Sequence, residues 1–492
     1  MNPRKLIPLV VVLAVLVVLA LMVTRKKSED QLQLEAGLRR LAPEDFLLSD
    51  VGRLEIFLGS KEEQKIVLQR EASGWRVQSH FNTRADDEKV SNLLEDLKAL
   101  EGEFRVDEES VLEDFGLTGK TAIHLVLFKK ESEQAWFRLL VGKSLPNGGF
   151  VRLGGENAIY VLDRDLRREF GLFTEEASKA PGQSHWINTT IMALNTEEVE
   201  KLTITWPDRK AVFEKRVKPE IETEETTEGT TPQKTAPSPD EVEWVTKDPP
   251  SPFPIKAKGV NEILNTLSRL TADDVVDPKE KEEKGLDEPP FRCTVTLTEG
   301  EENTLIASHP DPLDEGYMMV EGEDRTIFRV ARYTFEGVFK KGGDLFELPA
   351  LPIEKKAIQR LSLTWPDKTL VLQKTASGEF EASSGQPKER ELIQNKVKTI
   401  WDSLPRISPA DFVQLHPERD RGLKDPSHQA TIMLDNGKHH VISLGDEARG
   451  VAGRYMRIDE DPQIFVMAKA DFDRIFPPFD QLFEIPAADE GK

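Results

Sequence analysis

One cysteine, eight histidines and 88 carboxylates are the side chains in this chain that could do nucleophilic, metal or acid–base chemistry. The tightest histidine group is His439-His440, with His428 on the preceding apolar run. Imidazoles hold zinc or copper when two or three converge on one point. Adjacent residues of a strand face opposite sides, so His439 and His440 cannot easily share an ion. Two carboxylates meeting across a cleft could serve as general acid and base, but sequence spacing singles out no such pair. Asp86-Asp87-Glu88 and Asp107-Glu108-Glu109 stand beside expected helix ends, where acidic side chains complement the dipole. Cys293 shares the inward register with Val295 and Leu297 and reads as a core thiol rather than a nucleophile. Trp206 and Trp365 could stack on sugar rings. Each shares its face with two aliphatic residues (Leu202 and Ile204; Leu361 and Leu363), which favours core packing. The chain has no phosphate-cradling G-x-x-x-x-G-K-[ST] loop, no G-x-G-x-x-G, no H-E-x-x-H and no G-x-S-x-G elbow. No catalytic, cofactor-binding or metal-ligating residue is assigned from these patterns.

The elements that carry these residues repeat. Residues 201–215 read KLTITWPDRKAVFEK and residues 360–374 read RLSLTWPDKTLVLQK; a third copy shows at 66–74, IVLQREASG, against LVLQKTASG at 370–378. Each copy opens with a strand (54–58, 202–206, 361–365), and the last two alternate apolar residues with Thr or Ser, the period of a half-buried strand. Pro207-Asp208 and Pro366-Asp367 supply turns that send the chain back as a hairpin. An amphipathic helix follows, with Val90, Leu93, Leu94, Leu97 and Leu100 on one face. Val260, Ile263, Leu264, Leu267 and Leu270 have the same spacing, and Ile393, Val397, Ile400 and Leu404 keep the stripe. Gly116-Leu117, Gly285-Leu286 and Gly422-Leu423 then punctuate each copy before a run of strands and a short closing helix. The expected architecture is α+β: an N-terminal single transmembrane helix, then three tandem repeated α+β domains with mainly antiparallel sheets. The expected boundaries are a tail and anchor over 1–27, a linker over 28–50, repeat domains over 51–195, 196–350 and 351–486, and a tail over 487–492. Units of that size read as whole domains rather than solenoid repeats.

The totals narrow the class. A net charge of −22 over 492 residues argues against a nucleic-acid partner. The single cysteine excludes an intramolecular disulfide framework and a cysteine zinc site. Residues 6–23, from Leu6 to Val23, carry no charge and are long enough for a membrane span. No small-residue cleavage site follows, so the expectation is an uncleaved single-pass anchor. Arg25, Lys26 and Lys27 after this run favour a cytoplasmic body by the positive-inside count. The short leading tail and the acidic Glu29 and Asp30 oppose that count. The expected location is the inner (cytoplasmic) membrane with an extracytoplasmic body, a choice that leans partly on the resemblance below. Residues 218–241, rich in Thr, Pro and acid, lack an apolar face and read as a disordered insertion at a hairpin tip.

The chain resembles the DUF4340 family of bacterial proteins. The match lies in the N-terminal apolar run, VGRLEI at 51–56, the hairpin IVLQR…GWRV ending at Val77, the helix near 88–100, Gly116-Leu117 and the strands at 150–153 and 159–162. It extends over the three copies. The second departs most, with its insertion and with Ser308-His309 where the others have Val141-Gly142 and Leu444-Gly445. The resemblance implies an envelope protein encoded beside ABC-2-type permeases and gliding-motility-like auxiliary subunits, and no catalytic residues. The resulting expectation is a non-enzymatic, membrane-anchored accessory or scaffold protein of an ABC-type transporter, with no cofactor. Its partners would be the membrane, through Leu6 to Val23, and the ABC permease with its auxiliary subunits. Two alternatives stay open: an envelope hydrolase with carboxylates in an interdomain cleft, and a cell-wall glycan-binding module.

Overall fold

Leu202, Ile204 and Trp206 are buried and Thr203 and Thr205 half-buried along the strand Val199–Trp206, the alternation of a sheet with one face on a core. Trp206 pairs with Arg209 across Pro207-Asp208, and Trp365 with Lys368 across Pro366-Asp367, so each hairpin closes on two residues. The first copy lacks Trp-Pro-Asp. There the six residues Gly59–Gln64 form 3-10 turns between Val51–Leu58 and Ile66–Glu71.

The computed structural model describes residues 38–173, 179–217, 242–247, 250–311, 314–322 and 325–485. The chain forms two units, Met1–Asn188 and Thr189–Lys492. In the first, ten antiparallel strands run in the order Leu38–Arg40, Glu101–Asp107, Ala158–Leu162, Gly148–Leu153, Ala135–Leu145, Ile123–Lys129, Val51–Leu58, Ile66–Glu71, Gly74–Val77 and Thr83–Arg84. The helix Asp87–Lys98 buries Val90, Leu93, Leu94 and Leu97, each worth about 1.5–3 kcal/mol. Asp86 caps it by accepting from Lys89 N, and Asp87 accepts from Trp75 N at 2.8 Å, which ties the helix start to a strand.

The second unit holds two eight-stranded sheets of one design. One runs Val242–Thr246, Arg209–Val217, Val199–Trp206, Phe291–Leu297, Glu302–Ser308, Gly316–Val320, Ile327–Val330, Asp274–Val276. The other runs Phe380–Ser384, Lys368–Lys374, Ile358–Trp365, His428–Leu434, His439–Glu447, Gly453–Ile458, Phe465–Ala468, Asp411–Phe412. The first unit's sheet uses the same central order. Helix Ala257–Leu267 buries Val260, Ile263, Leu264 and Leu267 of the expected stripe, with Leu270 on the short strand after it. Helix Gln394–Ser403 buries Val397 and Ile400, with Ile393 half-buried at the N-cap and Leu404 in the next turn. The last strand of each eight-stranded sheet arrives after its helix, so residues distant in sequence meet at that edge.

The expected class, α+β led by a transmembrane helix, is corrected by this architecture. Antiparallel sheets of ten, eight and eight strands dominate, while the helix Asp87–Lys98 has 12 residues and the equivalent ones 11 and 10. Among the described residues no helix is long and apolar enough to cross a membrane. Sheet covering needs only one apolar stripe per helix, which three turns supply. The anchor assigned to Leu6 to Val23 lies outside the described residues, as do the insertion 218–241 and the tail 487–492.

Candidate functional site

The three histidines do not converge. His440 Nδ1 lies 2.9 Å from Asp459 Oδ2, whereas His428 packs against the edges of Phe472 and Phe476 and meets Ser427 Oγ at 3.0 Å. His428 and His440 pair with different residues, Leu444 and Ile432. Among the described residues no group of three His, Cys, Asp or Glu could hold a metal. Cys293 is fully buried, and burial pushes its pKa up to about 12, so it stays a thiol. Trp206 and Trp365 are 4% and 7% exposed, which leaves no ring face for a sugar.

The unusual chemistry lies at the Trp206–Arg209 hairpin tip. Its Arg209 is 1% exposed, although guanidinium groups are almost never fully buried without a partner. The partner is Asp411, 5% exposed, on the short edge strand of the third copy. Arg209 Nε stands 3.0 Å from Asp411 Oδ1, an ion-pair contact off the N–H direction, and Nη2 reaches Oδ2 at 3.3 Å. Nη2 also donates to Lys340 O at 3.2 Å, while Nη1 finds no acceptor. The guanidinium lies 3.6 Å over the Trp206 ring, a desolvated cation–π contact worth roughly 2 kcal/mol. Burial pulls the Arg209 pKa down and Asp411 opposes it. Gly342 allows this approach, since a Cβ there would lie 2.4 Å from Asp411 Oδ1.

Asp208, one residue earlier, is held as firmly. Arg421, 5% exposed, donates from Nη2 to Asp208 Oδ1 at 3.0 Å, and the Tyr455 hydroxyl donates to Oδ2. Burial, then Asp208, pushes the Tyr455 pKa up to about 12, so the hydroxyl keeps its proton. Gln414 N and Leu415 N both donate to Asp208 O at 2.9 Å. Phe412 stacks edge-on to Phe253 and Phe346 beside the pair. The space left between tip and receptor is about 20 Å³, so no substrate-sized molecule enters. This is a plug seated in a socket, with each carboxylate neutralised by its own arginine.

Elsewhere, an open groove of about 620 Å³ is lined by Asn395, Lys398, Thr399, Asp402, Ser403, Arg406 and Arg474. Its one carboxylate, Asp402, is paired with Lys355 at 2.7 Å, so it offers no acid–base pair. In the first unit the Glu169 carboxyl is pushed up to about 7 by burial and by Asp96, with Arg164 opposing. Sequence reasoning missed Arg209, Asp411, Arg421 and Tyr455 and gave Asp208 only a turn role. One signal was available: WPDR and WPDK conserve a carboxylate-then-cation tip that a simple turn does not require.

A family model described as "Domain of unknown function (DUF4340)" matches residues 75–289 and 291–426. No curated protein matches the chain. Among solved structures, it is similar to the DNA polymerase III subunit beta from Pseudomonas aeruginosa at 9% identity, over 71% of this chain and 86% of that one, with a TM-score of 0.11. A DNA polymerase sliding clamp from Pseudomonas aeruginosa gives 6% identity over the same shares, with a TM-score of 0.10. At such scores the likeness carries no argument about fold or function.

Proposed function

The chain belongs to the DUF4340 family, and from that premise we propose that it is a non-enzymatic envelope protein, an accessory or scaffold subunit of an ABC-type transporter complex that acts through protein–protein contacts. The observation that carries this reading is the buried plug at Asp208 and Arg209. The chain commits buried charge, which is costly to desolvate, to joining one copy of its repeat to the next. Groups committed in that way fix geometry, the requirement of a scaffold. Its acidic surface favours basic protein faces over nucleic acid. The proposed place of action is the cytoplasmic membrane, with the folded body outside the cytoplasm and the permease and its auxiliary subunits as partners.

The test is crosslinking in intact cells, then solubilisation, affinity capture of this chain and mass spectrometry. Recovery of an ABC permease together with its ATPase is the expected result. Recovery of this chain alone, at crosslinking yields that capture a control membrane complex, would sink the accessory role.

A further inference from the structure

The second copy's tip is a plug in the third copy's socket, yet the third copy carries a tip of its own. Trp365 is fixed beneath it, 5.8 and 5.3 Å from the rings of Phe476 and Phe479, with Nε1 donating to Pro477 O at 3.2 Å. Pro366, Asp367 and Lys368 beyond it are exposed. Asp367 has no hydrogen-bond or ion-pair partner among the described residues. Lys368 lies 4.8 Å over the Phe479 ring and 3.8 Å from Asp480, whose side chain is largely solvated, so its ion pair is worth little. The backbone that presents Asp208 and Arg209 thus presents Asp367 and Lys368, in the same carboxylate-then-cation order.

The second copy also repeats the socket. Asp411 and Tyr455 both lie opposite Val466 on neighbouring strands, and Asp274 and Tyr317 both lie opposite Arg329 in the same way. Arg421 precedes Gly422 and Lys284 precedes Gly285, both glycines at positive φ (74° and 68°). The Arg421 guanidinium sits 5.2 Å from the Tyr455 ring, and the Lys284 ammonium 5.3 Å from the Tyr317 ring. Asp274, Lys284 and Tyr317 are each half-buried. One feature differs: Arg329 takes the place of Val466 and holds Asp274 and Glu315 at 3.4 and 3.3 Å. This socket therefore offers two cations to an incoming carboxylate and keeps Asp274 and Glu315 for the lysine that follows. Lys284 now rests on Glu280 and Glu283, which are 40% and 72% exposed, so Asp367 would displace only solvated partners.

We propose that the chain associates head to tail with a second copy, the Trp365–Lys368 tip of one entering the Asp274–Lys284–Tyr317 socket of the other. The contact is heterologous, so it builds rings or open rows rather than a two-fold dimer. The joint between the second and third copies gains from their covalent link, whereas this one does not, which places its dissociation constant in the micromolar to millimolar range. The inference goes beyond the transporter reading and stands or falls without any other protein.

The test is sedimentation of the full chain from about 10 µM to about 1 mM at moderate salt, where screening still leaves close pairs intact. The expected result is an average mass that rises with concentration. D367K and K284E should each weaken association by about tenfold or more, while their thermal midpoints stay within about 2 °C of the parent. Mixing D367K with K284E should restore association, because each supplies the half that the other lacks. A parent that stays monomeric throughout would overturn the proposal. So would association unchanged by either substitution, or a mixture of the two variants that remains monomeric.

Discussion

Arg209 and Asp411 exchange hydration for one another inside a protein layer, so each is tolerated only because the other is present. D411A should therefore destabilise the second unit by about 3–5 kcal/mol, the cost of a buried guanidinium left alone. R209M with D411L, which removes both charges and keeps the side-chain branching at 411, should recover most of that loss. Chemical denaturation of the single and double variants checks this, and a double variant as weak as D411A would contradict it. Glu169 carries the opposite lesson. Burial, then Asp96, raises its folded pKa to about 7 from an ordinary 4.5, with Arg164 opposing and Asp165 adding. The folded state holds the proton more tightly than the unfolded chain. Stability from this group is complete below about pH 4.5 and is lost as the pH rises through about 7. Because Glu169 keeps some solvent contact, E169Q should gain only about 1 kcal/mol over the parent at pH 8 and nothing at pH 4. Thermal midpoints across that range decide; a gain that does not depend on pH would assign the effect to packing instead.

Glycine placement shows how the elements are held at their turns. Gly285 has φ 68° and a Cβ there would meet Ser308 Oγ at 2.8 Å, whereas Gly437 has φ 79° with open space around it. G437A should cost about 1 kcal/mol through φ alone, and G285A should cost about 2 kcal/mol because the serine must also move. Equal losses in urea titrations would show that the serine yields freely. Much at this scale was legible in the sequence: the period-two strands, the helix stripes, the Pro-Asp turns and the Gly-Leu punctuation. One recurring element was missed. The first long strand of every copy carries a register shift near its start, between Val51 and Arg53, Val199 and Lys201, and Ile358 and Arg360. The trace was present as an apolar pair three apart, Val51 and Leu54, Val199 and Leu202, Ile358 and Leu361, ahead of a regular alternation. A strict period-two template passes over it. The anchor expected over Leu6 to Val23 lies outside the described residues.

Across the second unit, two sheets of identical order meet at the Trp206–Arg209 tip, in the aromatic layer around Phe412 and where Gly343 N donates to Ala410 O, so their cooperativity depends on a few residues. Calorimetry of the full chain should show the second and third copies melting together, and D411A should separate or broaden that transition. A sharp single transition in D411A would mean that the aromatic layer around Phe253, Phe346 and Phe412 couples the copies without the ions. The candidate site itself was barely legible in the sequence. Asp208 with Arg421 and Arg209 with Asp411 are joined by topology, and no local periodicity relates residues so far apart.

That separation has a consequence for synthesis. Arg209 and Asp411 lie 202 residues apart, and at roughly 5–20 residues per second the ribosome needs about 10–40 s to deliver the second after the first. For that interval Trp206 has neither its stacked cation buried nor its cover in place. Proline at 207 and charges at 208 and 209 sit beside it, the kind of residues that keep an uncovered strand end from pairing with a neighbouring nascent chain. The plug that later locks the unit therefore also serves, while the chain is unfinished, as its own guard against aggregation.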